Sequence, residues 1–208
     1  MPPSHDLDTV LNAYEATWLN ASFCPHQRHQ CLTLARFRHF LAQHPHPFDR
    51  SNQLGHITGS AYVVDPSLNK VALNLHSKLN IWIQFGGHAD SDQHNIADIA
   101  LREAKEESGL RSLRFFAMHD LFGGAERSIP IDLQIHPIPT IKAVREHLHY
   151  DVNFLLVADA DEQLQVSDES HDVRWFDLDT AARRGERSVG EVMAKLRAIK
   201  RLLIQAKQ

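Results

Sequence analysis

Apolar residues in the first twenty positions recur at steps of three and four. In "DLDTVLNAYEATWL", Leu7, Val10, Leu11, Tyr14 and Trp18 fall on one stripe, which predicts an amphipathic helix. A second helix is expected over "PHQRHQCLTLARFRHFLAQ": Pro25 suits a first helical turn, and Leu34, Phe37 and Leu41 continue the apolar spacing. The alternating prolines of "HPHPFDRSN" end it, because a proline lacks the N–H and its ring clashes with the preceding turn. Residues 1 to about 47 are therefore expected to form a helical hairpin. Two helices alone cannot cover both stripes. Leu11, Tyr14, Trp18, Phe37 and Leu41 are expected to dock on the rest of the chain, or on a partner subunit of a homodimer.

From His56 the period shortens. "HITGSAYVVD", "KVALNLHS" and "NIWIQF" are β-branched or alternating runs between the turns "PSLN" and "SKLN". A helix is expected over about 95–108, then strands in "SLRFFAMHDL", "IPIDLQIHPI", "YDVNFLLVAD" and "DVRWFDL". The tail "SVGEVMAKLRAIKRLLIQAK" carries Val192, Leu196, Ile199 and Leu203 at helical spacing, and its lysines and arginines are expected to face solvent. Strands do not alternate regularly with helices, so the fold class is an α/β sandwich and not a doubly wound sheet. The expected division is a helical extension at 1–47 and a main domain at 48–208.

Composition narrows the function classes. At 208 residues the chain suffices for one full domain, and 43% hydrophobic with 23% charged residues is ordinary for a soluble protein. A net charge of −4 gives no bulk attraction to nucleic acid or to an anionic membrane. No apolar run approaches the roughly 20 residues of a membrane span. "MPPSHDLDTV" lacks the basic start and apolar core of a signal peptide, so a cytoplasmic location is expected. Cys24 and Cys31 lie beside His26 and His29, an arrangement that suggests zinc. On a helix, however, the two sulfurs would stand about 10 Å apart, too far for one ion with bonds near 2.3 Å. Reduced thiols in or near a helical core are expected instead. Many of the 15 histidines fall in proline-rich loops such as "QHPHPF", where solvation explains them.

The chemistry concentrates in "GGHADSDQHNIADIALREAKEESGL". Asn95 and Asp98 make a helix start, and Gly109 supplies the left-handed residue that ends one. At about 100° per residue, Glu103, Glu106 and Glu107 share one arc of that helix while Ala97, Ala100, Leu101 and Ala104 share a neighbouring face. Carboxylates so close repel one another, and Arg102 offsets only part of the repulsion. Strand, Gly-Gly turn and acid-bearing helix together make an oxygen-lined pocket suited to a hard divalent cation.

Residues Arg102, Glu103, Glu106, Glu107, Gly109 and Leu110 resemble the second half of the Nudix box, G-x5-E-x7-R-E-U-x-E-E-x-G-U, with U aliphatic. The first half departs from it. Gly87 stands fifteen positions before Arg102 where the pattern has fourteen, and His94 occupies the place of the first glutamate. Asp90 or Asp92 is the expected substitute. The resemblance covers about 56–180 and implies a Nudix α/β/α sandwich with a mixed sheet. It also implies Mg²⁺- or Mn²⁺-dependent hydrolysis of a small-molecule diphosphate, such as a nucleoside diphosphate derivative. By the same resemblance Glu103, Glu106, Glu107 and the Gly87 carbonyl ligate metal, Arg102 positions the glutamates, and a glutamate or loop acid takes the proton.

Around the box, Glu169 is the candidate base or extra ligand, from the loop preceding "DVRWFDL". His147 and His149 share a face if "HLHYD" is a strand, and with His136 they are candidates for substrate phosphate or a metal. His76 and Lys78 precede the box and are placed at its mouth, with His76 a substrate contact. Trp82 is expected in the core. Two alternative functions share the fold. An isoprenoid diphosphate isomerase would need a cysteine within the domain, and both cysteines precede it. A non-catalytic regulator would bind its ligand without turnover.

Overall fold

The computed structural model describes residues 4–20, 25–91, 93–123, 128–140, 145–159 and 161–205. Helix α1 (Ser4–Tyr14) runs into a wider π-helical turn, Glu15–Leu19, and α2 (Gln27–Gln43) follows. Strands β1 (Gly55–Val64), β2 (Lys70–His76), β3 (Trp82–Ile83) and β4 (Phe85–Gly87) lead into α3 (Ile96–Ser108). After it come β5 (Arg114–Phe115), α4 (Met118–Phe122), β6 (Asp132–Ile138), β7 (His147–Val157), β8 (Ser170–Asp177), α5 (Leu178–Arg184) and α6 (Arg187–Gln205). The stretch "SLRFFAMHDL", expected as one strand, divides into β5 and α4. Helix α5 was not legible as a separate element. It starts where the Asp177 side chain caps it by accepting from Thr180 N–H at 2.8 Å.

Among the described residues, eight strands form one mixed sheet with helices on both sides, as expected for an α/β/α sandwich. Its spine is the parallel pair β1–β7, in register from Gly55↔Leu148 to Val64↔Val157. On its other edge β1 pairs antiparallel with β4 and, at its end, with β2. Strands β3 and β8 flank β2, while β5 and β6 pair with β7. Alternation along β1 sends Ile57, Gly59 and Ala61 to one face and His56, Thr58, Ser60 and Tyr62 to the other. The first face carries α3. A Cβ on Gly59 would come within 3.0 Å of Ile96 and 3.1 Å of the Ala100 nitrogen, so the glycine permits the close approach. Ile96, Ile99, Ala100 and Ala104 are fully buried there.

The hairpin docks on the same chain. Leu11, Tyr14, Trp18 and Phe37 are fully buried in a core continuous with the sheet, and Leu41 packs on its margin. Trp18 Nε1 donates to the Pro130 carbonyl at 2.9 Å, and Phe40 stacks on Tyr150 at 4.2 Å between ring centroids. Helix α2 and the Trp18 turn thus pack beside edge strand β6, where exposed main-chain groups would otherwise invite association.

Two expectations fail here. Cys31 is exposed on α2, because the buried stripe runs through Gln30, Thr33, Leu34, Phe37 and Phe40; Cys24 lies outside the described residues. The cationic face of α6 is not wholly in solvent either. Lys195 is 1% exposed and donates to Asp132 Oδ1 at 2.7 Å, the Ile131 carbonyl at 2.8 Å and Tyr14 Oη at 3.0 Å. Its Nζ also lies 4.7 Å from the Trp18 ring centroid. A buried ammonium needs such a cage, since desolvation is costly without a counter-charge and full hydrogen bonding.

Candidate active site

Local sequence fixes the helix that carries the acids. The Asn95 side chain accepts from the N–H groups of Ala97 at 3.0 Å and Asp98 at 3.1 Å, and Gly109 ends the helix at φ 70°. With its alanine face on β1, α3 presents Glu103, Glu106 and Glu107 toward the β4 turn at three depths. Glu107 is 6% exposed and accepts from Gly86 N–H at 2.8 Å. Glu103 is half-buried against Gly87, where a Cβ would lie 2.6 Å from its Oε1. Glu106 is exposed.

Arg102 fastens this set to the loop before it. It donates to Glu106 at 2.8 Å, Glu103 at 2.9 Å, the His88 carbonyl at 2.7 Å and Gln93 Oε1 at 3.0 Å. Asp90 stands 3.3 Å from its Nε. Gln93 and Asp90 thus occupy the neighbourhood of the missing first glutamate, and Asp92 lies outside the described residues. Gln93 was not singled out from sequence; its place one residue before His94, in a loop one residue longer, was the available signal.

Electrostatics follow from burial. Desolvation pushes the Glu107 carboxyl up to about 8, against the Gly86 N–H and reinforced by the charges of Glu103, Glu169 and Glu106. Desolvation also raises Glu103; Arg102 opposes this, while Glu106 and Glu169 add to it. Burial works against the Arg102 charge, but Glu103, Glu106 and Asp90 hold it firmly protonated. Glu169 is exposed in the turn before β8, and its charge acts on Glu103 and Glu107. Its carbonyl accepts from Ser77 N–H at 3.0 Å, which ties that turn to the segment of His76 and Lys78. His76 is depressed by desolvation and Lys78, with Glu169 acting the other way. Trp82 is half-buried and packs edge-on against Phe176 at 4.8 Å.

On the opposite face of β1 a second group of side chains converges. The parallel register sets His56 beside His149, and the rings of His88 and His147 join them. His149 Nε2 lies 3.2 Å from His147 Nε2 and 3.3 Å from His88 Nε2. Desolvation leads the causes that lower His56 to about 4, His88 to about 3 and His149 to about 2. Arg50 and Lys78 add positive charge near His88. His136 instead bonds Gln134 Oε1 at 3.0 Å. Deeper on this face Asp151 is buried, receiving Thr58 at 2.8 Å, Ser60 at 2.7 Å, Gln84 at 3.1 Å and Asn153 at 3.0 Å. Sequence reasoning found His147 and His149, but not His56, His88 or Arg50.

A mixed sheet between helices, with an acid-bearing helix clamped to a Gly-Gly turn by one arginine, defines a class of protein that is shared with known families. The NUDIX domain family matches residues 71–196, and the chain belongs to the Nudix family. The expected class of enzyme, a Nudix-type hydrolase of acid anhydrides, stands with that membership. No curated protein matches the chain in sequence. Among solved structures, the fold is similar to a NUDIX-family hydrolase from Clostridium perfringens, with a TM-score of 0.52 and 20% identity over 69% of this chain and 97% of that one. It is also similar to an Ap4A hydrolase from C. elegans, with a TM-score of 0.50 and 16% identity over 69% and 96% of the two chains. Among the described residues, no helix is long and apolar enough to cross a membrane.

Proposed function

We propose that the chain hydrolyses the diphosphate linkage of a nucleoside diphosphate derivative, of the ADP-ribose or nucleotide-sugar class, with Mg²⁺ or Mn²⁺. The observation that carries this is the buried Glu107 beside half-buried Glu103. A carboxyl held almost out of water, with one N–H donor and acidic neighbours, is costly for the protein by itself. An oxygen-ligating dication removes that cost, so the donor set fits the hard metal. Glu103, Glu106 and Glu107 would hold it, with the Gly87 carbonyl as a further oxygen. When bound, the ion supplies charge neutralisation for the phosphates and a more acidic water.

The side chains do the rest. Arg102 fixes Glu103 and Glu106 and anchors the loop through the His88 carbonyl. Glu169 is the proposed base or additional ligand, brought near by the turn before β8. His76, His147 and His149 are assigned to substrate, with Lys78 and Arg50 adding positive charge that favours an anionic ligand.

The test is a chromatographic and phosphate-release screen with Mg²⁺ over nucleotide sugars, ADP-ribose, dinucleotides, nucleoside triphosphates and isoprenoid diphosphates. Cleavage at the diphosphate, lost in Glu106→Gln, is expected. Rearrangement of an isoprenoid diphosphate without cleavage would replace the proposal with the isomerase function. Tight binding of a diphosphate without turnover would replace it with the regulator.

A further inference from the structure

The four imidazoles on the far face of β1 have an arrangement that hydrogen bonding alone does not satisfy. The Nδ1 of His147 lies 2.9 Å from the Arg145 carbonyl, and a carbonyl only accepts, so this nitrogen carries the hydrogen. In the neutral ring, Nε2 of His147 is then a lone pair. His149 Nε2 stands 3.2 Å from that lone pair and 3.3 Å from His88 Nε2. An imidazole nitrogen has in its plane either one hydrogen or one lone pair. If His149 Nε2 donates to His147, it has nothing to offer His88 except the same shared hydrogen. If it keeps its lone pair, two lone pairs face each other. Beside them His56 is 2% exposed, and neither of its ring nitrogens has a partner. Buried polar atoms without partners call for a specific explanation.

Distances supply one. Two nitrogens bound to a tetrahedral ion at about 2.0–2.1 Å lie about 3.3 Å apart, close to both Nε2 separations. A nitrogen from each of His56, His147 and His149 lies within 4.8 Å of the others. The Nδ1–H of His147 on a main-chain carbonyl is the outer hydrogen bond that aims a ligating imidazole and fixes its tautomer. We propose that His56, His147 and His149, with His88 beside His149, hold a transition-metal ion of the zinc class, separate from the acid site on α3. An all-imidazole set favours such an ion over Mg²⁺, which prefers oxygen. The inference goes beyond the hydrolase function and does not depend on it. The substrate contacts assigned to His147 and His149 then run through the ion and not through an N–H.

Cobalt(II) is the probe, since a tetrahedral nitrogen site absorbs visible light far more strongly than an octahedral oxygen site. Full-length protein is stripped with a chelator, equilibrated with excess Mg²⁺ to fill oxygen sites, and titrated with Co²⁺, then Zn²⁺. The expected result is one strongly absorbing Co²⁺ per chain, displaced by Zn²⁺. Affinity should fall about tenfold or more in His147→Gln and His149→Ala and remain unchanged in Glu106→Gln. Circular dichroism confirms the fold of each variant; His147, half-exposed at the strand end, keeps the test open if His149→Ala does not fold. Absence of the strong band, or its loss in Glu106→Gln with retention in both histidine variants, would overturn the proposal.

Discussion

Replacing Glu107 by glutamine separates charge from shape at the most buried carboxyl of the acid helix. The amide oxygen can still accept from Gly86 N–H, so packing is preserved and the ionisation is lost. In the metal-free wild type, burial moves this carboxyl from an ordinary 4.5 to about 8. Below pH 4.5 the group is neutral in both folded and unfolded chains and contributes no pH dependence. Between 4.5 and 8 the folded chain keeps the proton that the unfolded chain has released. The Glu107 contribution to wild-type stability therefore falls by about 1.4 kcal/mol per pH unit through this window. At pH 7 the deficit relative to pH 4 is about 3 kcal/mol. Glu107→Gln has no such deficit, so the metal-free variant should melt roughly 6–12 °C above wild type at pH 7 relative to their difference at pH 4. Mg²⁺ offsets most of that difference. At a hundred times its dissociation constant it stabilises the wild type by about 2.7 kcal/mol, whereas the variant gains little and loses at least about a hundredfold in turnover. The assay is denaturant or thermal unfolding at pH 4 and 7, with and without Mg²⁺, together with hydrolysis of the substrate found by screening. A stability difference independent of pH, or unchanged hydrolysis, would refute the assignment of Glu107 as a buried metal-binding acid.

Gly87→Ala should leave stability within about 1 kcal/mol, because the atoms nearest the new methyl are the movable end of Glu103; Mg²⁺ affinity and turnover should fall, and calorimetric titration with Mg²⁺ checks this. Lys195→Met leaves Asp132 buried with Gln134 as its remaining side-chain partner among the described residues, so a loss of roughly 3–5 kcal/mol is expected in urea unfolding. Adding Asp132→Leu should recover much of it, and a double variant no more stable than the single would contradict the argument. His56, His88 and His149 have folded values of about 4, 3 and 2, below the ordinary 6.5. Their contribution to the metal-free protein is therefore present above 6.5 and is lost as pH falls; unfolding of Glu107→Gln at pH 7, 6 and 5, with the opposing Glu107 limb removed, follows this loss, and a flat profile would count against it. A chain beginning at Asp49 should be insoluble or markedly less stable, since it uncovers Tyr150 and removes Tyr14 from Lys195. Equal stability and equal activity would show the hairpin to be dispensable.

The sequence by itself determined the elements whose signals are local. The stripe from Leu7 to Trp18, the Asn95 cap, the Gly109 stop and the order Arg102, Glu103, Glu106, Glu107 all act within a turn or two of helix. Helical periodicity and capping chemistry suffice to read them. Periodicity states which face a residue occupies, not what that face meets. Nothing near Lys195 distinguishes it from Lys200 on the same helix; only the arrival of Asp132, Tyr14 and the Trp18 ring makes it a core residue. The three glutamates share an arc in the sequence, but their unequal burial depends on the glycines at 59, 86 and 87, which let α3 and the β4 turn approach. The histidines show the limit most clearly. His147 and His149 announce themselves by alternate spacing on one strand. His56 and His88 join them because β1 lies parallel to β7 and β4 pairs with β1, a register set by burial of both sheet faces over separations that no local pattern encodes.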